Sequence, residues 1–92
     1  MIIKKHLIIS GKIQGVGFRY WMQNLAINNN ISGWVKNKLL GDVEALIIGQ
    51  EKEVQKLIKQ CKIGPSSATI QNILINDYDQ DYSKEGFNIL RL

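Results

Sequence analysis

Between Gly11 and Arg19 the chain reads Gly11-Lys12-Ile13-Gln14-Gly15-Val16-Gly17-Phe18-Arg19, with three glycines and one arginine where an alternating strand pattern gives way to a helical one. Glycines let the backbone turn tightly and bring its N–H groups close to a ligand. A helix start adds unpaired donors and the positive end of a dipole, and an arginine adds a permanent forked charge. Together these residue types make a cradle for an anion, and phosphate fits such a place. Taken singly they have ordinary roles: Gly15 and Gly17 make a strand-to-helix turn, and Arg19 is a surface residue.

The elements on either side decide whether the run is held as a cradle. Leu7, Ile9, Gly11 and Ile13 fall on one face and His6, Ser10 and Lys12 on the other, which predicts a half-buried strand over His6–Ile13. Phe18, Met22, Leu25 and Ala26 recur at spacings of three and four, predicting an amphipathic helix over 20–30 that ends in Asn28-Asn29-Asn30. Gly33–Leu39 and Asp42–Ile48 alternate on either side of a turn containing Gly41, the pattern of a hairpin with Val35, Val43, Ala45 and Ile47 toward the core. Over Glu51–Lys62 a stripe of Val54, Leu57, Ile58 and Cys61 predicts a second helix, with acids early and lysines late as its dipole favours. Gly64-Pro65 stops it, Ile70–Tyr78 reads as a fourth strand, and a polar turn over 79–85 leads to a last short strand, Gly86–Leu92. The order β-α-β-β-α-β plus a terminal strand predicts an α+β fold. It is the ferredoxin-like split-βαβ sandwich, with two helices on one face of an antiparallel sheet.

The 92 residues are expected to form one domain over 1–92, with one modest core and one site. Hydrophobic content of 45% and charged content of 22% are those of a globular chain and exclude disorder. No apolar stretch approaches the roughly 20 residues of a membrane span. Cys61, without a second cysteine to pair with, points to the reducing cytoplasm. The net charge of +4 comes from scattered lysines, a field that attracts a small anionic substrate and permits nucleic acid without demanding it. Nothing in the pattern suggests an extensive exposed apolar face, so a monomer is expected.

The glycine run, followed by Gly33-Trp34-Val35-Lys36-Asn37 and then Gly41, Val43 and Gly49, resembles the two signature segments of the acylphosphatase family. The likeness continues through Gly64-Pro65, Ala68 and Phe87-Asn88-Ile89 and so covers essentially the whole chain. The resemblance implies a cytoplasmic hydrolase that cleaves acyl phosphates to a carboxylate and inorganic phosphate, with no metal and no cofactor. In such proteins the loop matching Gln14, Gly15, Val16, Gly17 and Phe18 binds the phosphoryl group through backbone N–H groups. The arginine matching Arg19 clamps it, and the asparagine matching Asn37 orients water. These roles are physically coherent, because phosphoryl transfer depends on positioning and charge stabilisation more than on covalent help.

One departure from the family pattern stands beside the second segment. In Lys38-Leu39-Leu40-Gly41-Asp42 the family usually has polar residues before the glycine and a serine or threonine after it, whose hydroxyl can fix the catalytic asparagine. Asp42 can accept from the Asn37 amide instead, but its charge is unfavourable near phosphate unless turned away or offset by Lys36 or Lys38. Leu39 and Leu40 are candidate walls for an apolar acyl group, or plain turn residues. Trp34 and Phe18 read as packing residues, His6 as a solvent-side strand residue, and Cys61 as part of a buried stripe with no role as a nucleophile. Asp77, Asp79 and Asp81 alternate without the spacing of a metal loop. Two other readings compete with a free-standing hydrolase: a single-stranded RNA-binding sheet, and a weakly active relative directed to carbamoyl phosphate.

Overall fold

The computed structural model describes residues 1–91 and arranges them as one five-stranded sheet with two helices. The first strand, β1 (Ile2–Lys12), pairs antiparallel with β3 (Val43–Gln50) from Ile2 opposite Gln50 to Ile9 opposite Val43. This pairing starts β1 four residues before the predicted His6, because Lys4 and Lys5 keep their charged heads wet at its rim. The Lys5 ammonium meets the Asp77 carboxylate, and that of Lys4 donates to the Gln80 carbonyl. A strand tolerates such residues when their stems lie along the sheet and their tips reach water.

Helix α1 (Phe18–Asn28) begins two residues earlier than the periodicity suggests, which places Arg19 in its first turn. It buries Phe18, Met22 and Ala26, and β2 (Ser32–Asn37) follows. The predicted hairpin forms between β2 and β3, but β2 stops at Asn37, and Leu39 and Leu40 stand 87% and 97% exposed at its tip. Helix α2 (Glu51–Ile63) buries the whole predicted stripe of Val54, Leu57, Ile58 and Cys61. Burial pushes the Cys61 thiol up to about 12, so it stays protonated as a core group. The last strands are β4 (Thr69–Asp77) and β5 (Phe87–Leu90), and the predicted end of β5 at Leu92 lies outside the described residues.

The strand order is β4-β1-β3-β2-β5. Four strands pair antiparallel, as expected, while β5 lies parallel to β2 and makes the sheet mixed. Segment 78–86 is the reason. Its length allows a reach of roughly 30 Å, more than the roughly 19 Å across four strand spacings. It can therefore carry the chain from the β4 edge to the far edge, where β2 still offers an unpaired ladder.

Leu7, Ile9, Val35, Val43, Ala45 and Ile47 face the two helices and form one cluster with the buried residues of α1 and α2. On the other face Leu46 is also fully buried, flanked in register by His6 and Trp34. Among the described residues no helix is long and apolar enough to cross a membrane. The Leu7 side chain is fully enclosed at the centre of the cluster, so Leu7→Ala is expected to lower stability by about 3 kcal/mol through a retained cavity. Urea unfolding should show a lower midpoint with an unchanged slope.

Candidate active site

The chain leaves β1 at Lys12 and enters α1 at Phe18, and both ends of the intervening turn are pinned, since Ile13 and Phe18 are 2% and 1% exposed. To reverse direction in so few residues the backbone takes left-handed conformations at Gly15, φ +78°, and Gly17, φ +80°. A Cβ at either position would meet no atom within 4 Å, so backbone conformation and not crowding requires glycine there. Gly17 is also the N-cap of α1. No side chain caps that helix and no acid lies in its first turn, whereas α2 carries Glu51 and Glu53. The Trp21 N–H donates to the Gly17 carbonyl at 3.0 Å, and among the described residues no N–H from Gln14 to Tyr20 is engaged ahead of it. A row of free donors at the positive end of a helix therefore opens at this turn.

That turn borders a cavity of about 110 Å³, lined by Ile13, Gly15, Gly17, Phe18, Arg19, Tyr20 and Asn37. Its size is well below the roughly 300–1,000 Å³ of pockets for drug-sized ligands, and suits a small anion. Asn37 arrives from the last position of β2, held in register opposite Val43. Among the described residues Arg19 has no ion-pair partner, and the Asn37 carboxamide has no hydrogen bond within the chain. Both groups are therefore available to a ligand.

Of the residues singled out in the sequence, Gly15, Gly17, Phe18, Arg19 and Asn37 meet around this cavity, and Gln14 and Val16 do not line it. The Gln14 carboxamide turns away, its Nε2 donating to the Lys38 carbonyl at 2.7 Å and the Asp42 carbonyl at 3.0 Å. Val16 packs its side chain against the core cluster, and its carbonyl accepts from Ser67 Oγ at 3.2 Å. Sequence reasoning missed the walls Ile13 and Tyr20, which a reading of the turn as continuous with its flanks would have found. It also missed the tethers from Gln14 and Ser67, for which no local signal exists.

Asp42 makes no side-chain hydrogen bond to Asn37. Its carboxylate lines a separate cavity of about 400 Å³ with Lys36, Lys38, Leu39, Leu40 and Glu44, and that cavity touches the first through Asn37. Lys36 and Lys38 form no ion pair with Asp42, whose cavity they share, and approach Glu44 instead, at 3.6 and 4.0 Å. His6 is on the solvent-side face as expected, though half-buried: its Nε2 lies 2.6 Å from Glu44 Oε2 and its ring stands edge-on to Trp34. Burial raises the Glu44 pKa, but the His6 hydrogen bond and the Lys36 and Lys38 charges outweigh it and hold the carboxyl below its ordinary 4.5. Among the described residues no group of three or more His, Cys, Asp or Glu is placed to hold a metal ion.

Sheet, helices and turn define a ferredoxin-like α+β fold with an anion-sized cavity at the entry to its first helix. A family model described as Acylphosphatase matches residues 5–89. An acylphosphatase of Acidiphilium cryptum is 40% identical over 86 residues, covering 94% of this chain and 93% of its own. The crystal structure of acylphosphatase from Bacillus subtilis superposes with a TM-score of 0.91 at 32% identity, covering 98% of this chain and 99% of the other. Full-length HypF in a phosphate- and nucleotide-bound form superposes at 0.85 with 28% identity, but this chain, 98% covered, corresponds to only 12% of it. The chain belongs to the acylphosphatase family and is an enzyme of that kind.

The sign of the Glu44 displacement fixes a pH dependence. A carboxyl whose folded pKa lies below its ordinary 4.5 contributes stability that is complete above that value and lost as pH falls through the folded one. Replacing Glu44 by Gln should therefore lower the urea midpoint at pH 7, and the difference from the parent chain should shrink below pH 4.5. Urea titrations at a series of pH values check this.

Proposed function

We propose that the cavity at the β1–α1 turn hydrolyses the carboxyl–phosphate mixed anhydride of acyl phosphates, giving a carboxylate and inorganic phosphate. The observation that carries this reading is the meeting of three unengaged groups in one small cavity: the N–H row of the turn, the Arg19 guanidinium and the Asn37 carboxamide. The phosphoryl oxygens take the N–H donors of the turn, and the guanidinium fork binds two of them side by side. Fixed donors cost no reorganisation when charge shifts in the transition state, and this is the largest contribution a protein makes to such a step.

Asn37 holds the attacking water by accepting a hydrogen bond from it at Oδ1. An amide does not titrate near neutrality, so it orients water without acting as a base. The water oxygen bonds to phosphorus as the bond from phosphorus to the acyl oxygen breaks and its electron pair leaves with the carboxylate. The proton passes from water to a phosphate oxygen. The leaving carboxyl group has an ordinary pKa of roughly 4, so it departs without protonation and no general acid is needed. Charge neutralisation falls to Arg19 and the turn, and the scheme calls on neither metal nor cofactor. Cys61, protonated and buried in α2, takes no part.

The grip is on the phosphoryl end, so acyl groups of varied shape should be accepted at the open side of Asn37. Every group in the scheme comes from one chain over 1–92, which supports a monomer acting as one domain. The reducing environment suggested by the unpaired Cys61 supports a cytoplasmic setting. An RNA-binding sheet would need a row of outward aromatics free to stack bases, but the outward ring of Trp34 already carries Lys36 Nζ at 5.5 Å from its centroid and the His6 ring at its edge.

Turnover of benzoyl phosphate in the presence of a chelator tests the proposal. Arg19→Ala is expected to lower kcat/KM about 10³-fold and Asn37→Ala about 10²-fold, the scale of losing one transition-state donor. The pH–rate profile of the Asn37 variant should gain no new titrating step. Equal rates for the parent chain and the Arg19 variant would refute the assignment.

A further inference from the structure

We infer that the Gln14 side chain is a positioning residue for Asn37, clamping the hairpin that carries Asn37 to the turn that carries the phosphate donors. The inference rests on the hydrolytic reading of the site. The turn and Asn37 come from β1 and β2, which are not neighbours, because β3 lies between them in the sheet. No backbone ladder joins them directly: the sheet relates them only through β3, where Ile9 and Asn37 each lie opposite Val43, so a direct tie between the turn and the hairpin must come from side chains. The Gln14 carboxamide is such a bridge. Its Nε2 donates to the Lys38 carbonyl at 2.7 Å and to the Asp42 carbonyl at 3.0 Å, reaching 24 and 28 residues along the chain.

Those carbonyls are the two that close the hairpin. The Asp42 carbonyl also accepts from the Lys38 N–H at 2.8 Å, and the Lys38 carbonyl from the Gly41 N–H at 3.3 Å. Lys38 directly follows Asn37, so the clamp acts one residue from the group that must hold water. Packing cannot replace it, because the tip residues Leu39 and Leu40 are 87% and 97% exposed and touch little. Gln14 also opens the turn whose glycines shape the cradle, so a single residue spans both halves of the site.

The chemistry required is narrow: two N–H donors on one atom at the end of a three-bond side chain. Glutamate has equal length but only acceptors, and it would repel both carbonyls. Methionine has the length and no donors. A hydrogen bond at an exposed site contributes little to overall stability, whereas a misplacement of about 1 Å in a reacting group can cost about 10²-fold in rate. Loss of the clamp should therefore appear in catalysis more than in folding.

The test is a double-mutant cycle with benzoyl phosphate, read with inhibition by inorganic phosphate. Gln14→Met is expected to lower kcat about 10-fold, and Gln14→Glu further, while the inhibition constant for phosphate moves less than about 2-fold. Combined with Asn37→Ala, Gln14→Met should cost nothing more, because the group it positions is gone. In the ¹H–¹⁵N spectrum the Asn37 side-chain NH₂ signals should shift in Gln14→Met while those of the α2 backbone stay in place. An equal loss in both backgrounds, or phosphate inhibition weakening as much as kcat falls, would overturn the inference and make Gln14 part of the cradle itself. If the parent chain does not turn over benzoyl phosphate, the hydrolytic reading fails. The Asn37 signals then decide the positioning role alone, and unmoved signals reject it.

Discussion

The turn between β1 and α1 has both ends buried in the same core. Ile13 closes one side and Phe18 the other, so the backbone between them has no freedom to spread and must reverse through two left-handed glycines. A chain reversed in this way enters its helix through Gly17, an N-cap without a side chain, so no side chain engages the first N–H groups. The proposed anion site is thus a by-product of core packing. The same contacts that bury Phe18 against the sheet hold Arg19, its neighbour in the first turn, beside the free donors. Loosening either anchor would scatter the donors before it unfolded the protein.

The distribution of charge follows from that arrangement. An uncapped helix start is a good place for an acid, and a glutamate there would stabilise α1 while filling the site with its own carboxylate. Helix α2 carries Glu51 and Glu53 at that position, and α1 has no acid there. The carboxylate of β3 nearest the hairpin, Glu44, points to the opposite face, where His6, Lys36 and Lys38 surround it. Asp42 lines the neighbouring cavity and contributes only its carbonyl to the architecture near Asn37. The small cavity at the β1–α1 turn therefore has no acidic side chain in its lining.

Much of this was legible in the sequence because it depends on local periodicity. The stripes of α1 and α2 and the alternation of β1 are written at spacings of two, three and four, and in β3 Val43, Ala45 and Ile47 are buried as their period puts them, while Leu46 and Ile48 on the other face are buried against it. The glycine run and Asn37 were legible for a different reason: each taken alone has an ordinary turn or strand-end role, and only their joint pattern, which resembles the two signature segments of the acylphosphatase family, sets them apart. What escaped is what depends on the path of the chain through space. The placement of β5 beside β2 is set by the reach of segment 78–86 and by which edge is unpaired, and neither leaves a mark on the strand itself. The Gln14 bridge joins residues 24 and 28 positions apart, and Ser67 meets Val16 across 51. Hydrophilic side chains on exposed turns look alike until the fold brings their partners near.

Leaving backbone donors unpaired costs little here because the turn is wet. An N–H buried without a partner carries a penalty of about 1–3 kcal/mol, but Gly15 and Gly17 are exposed, so the donors of the turn are within reach of solvent. The fold can therefore keep a full set of donors in readiness at small expense to its stability. On the proposed reading, an entering phosphoryl group would replace water at those donors with oxygens that carry more charge, an exchange that favours the anion, and more so as the site is covered and the local dielectric falls. Rigidity decides how much of that gain reaches the transition state. Donors on a turn pinned at both ends cannot follow the ground state, so they favour whichever charge distribution matches their fixed spacing. A site of this kind needs no titrating group, and its demands fall on geometry, which the core, the β2–β3 register and the tethers of the turn together supply.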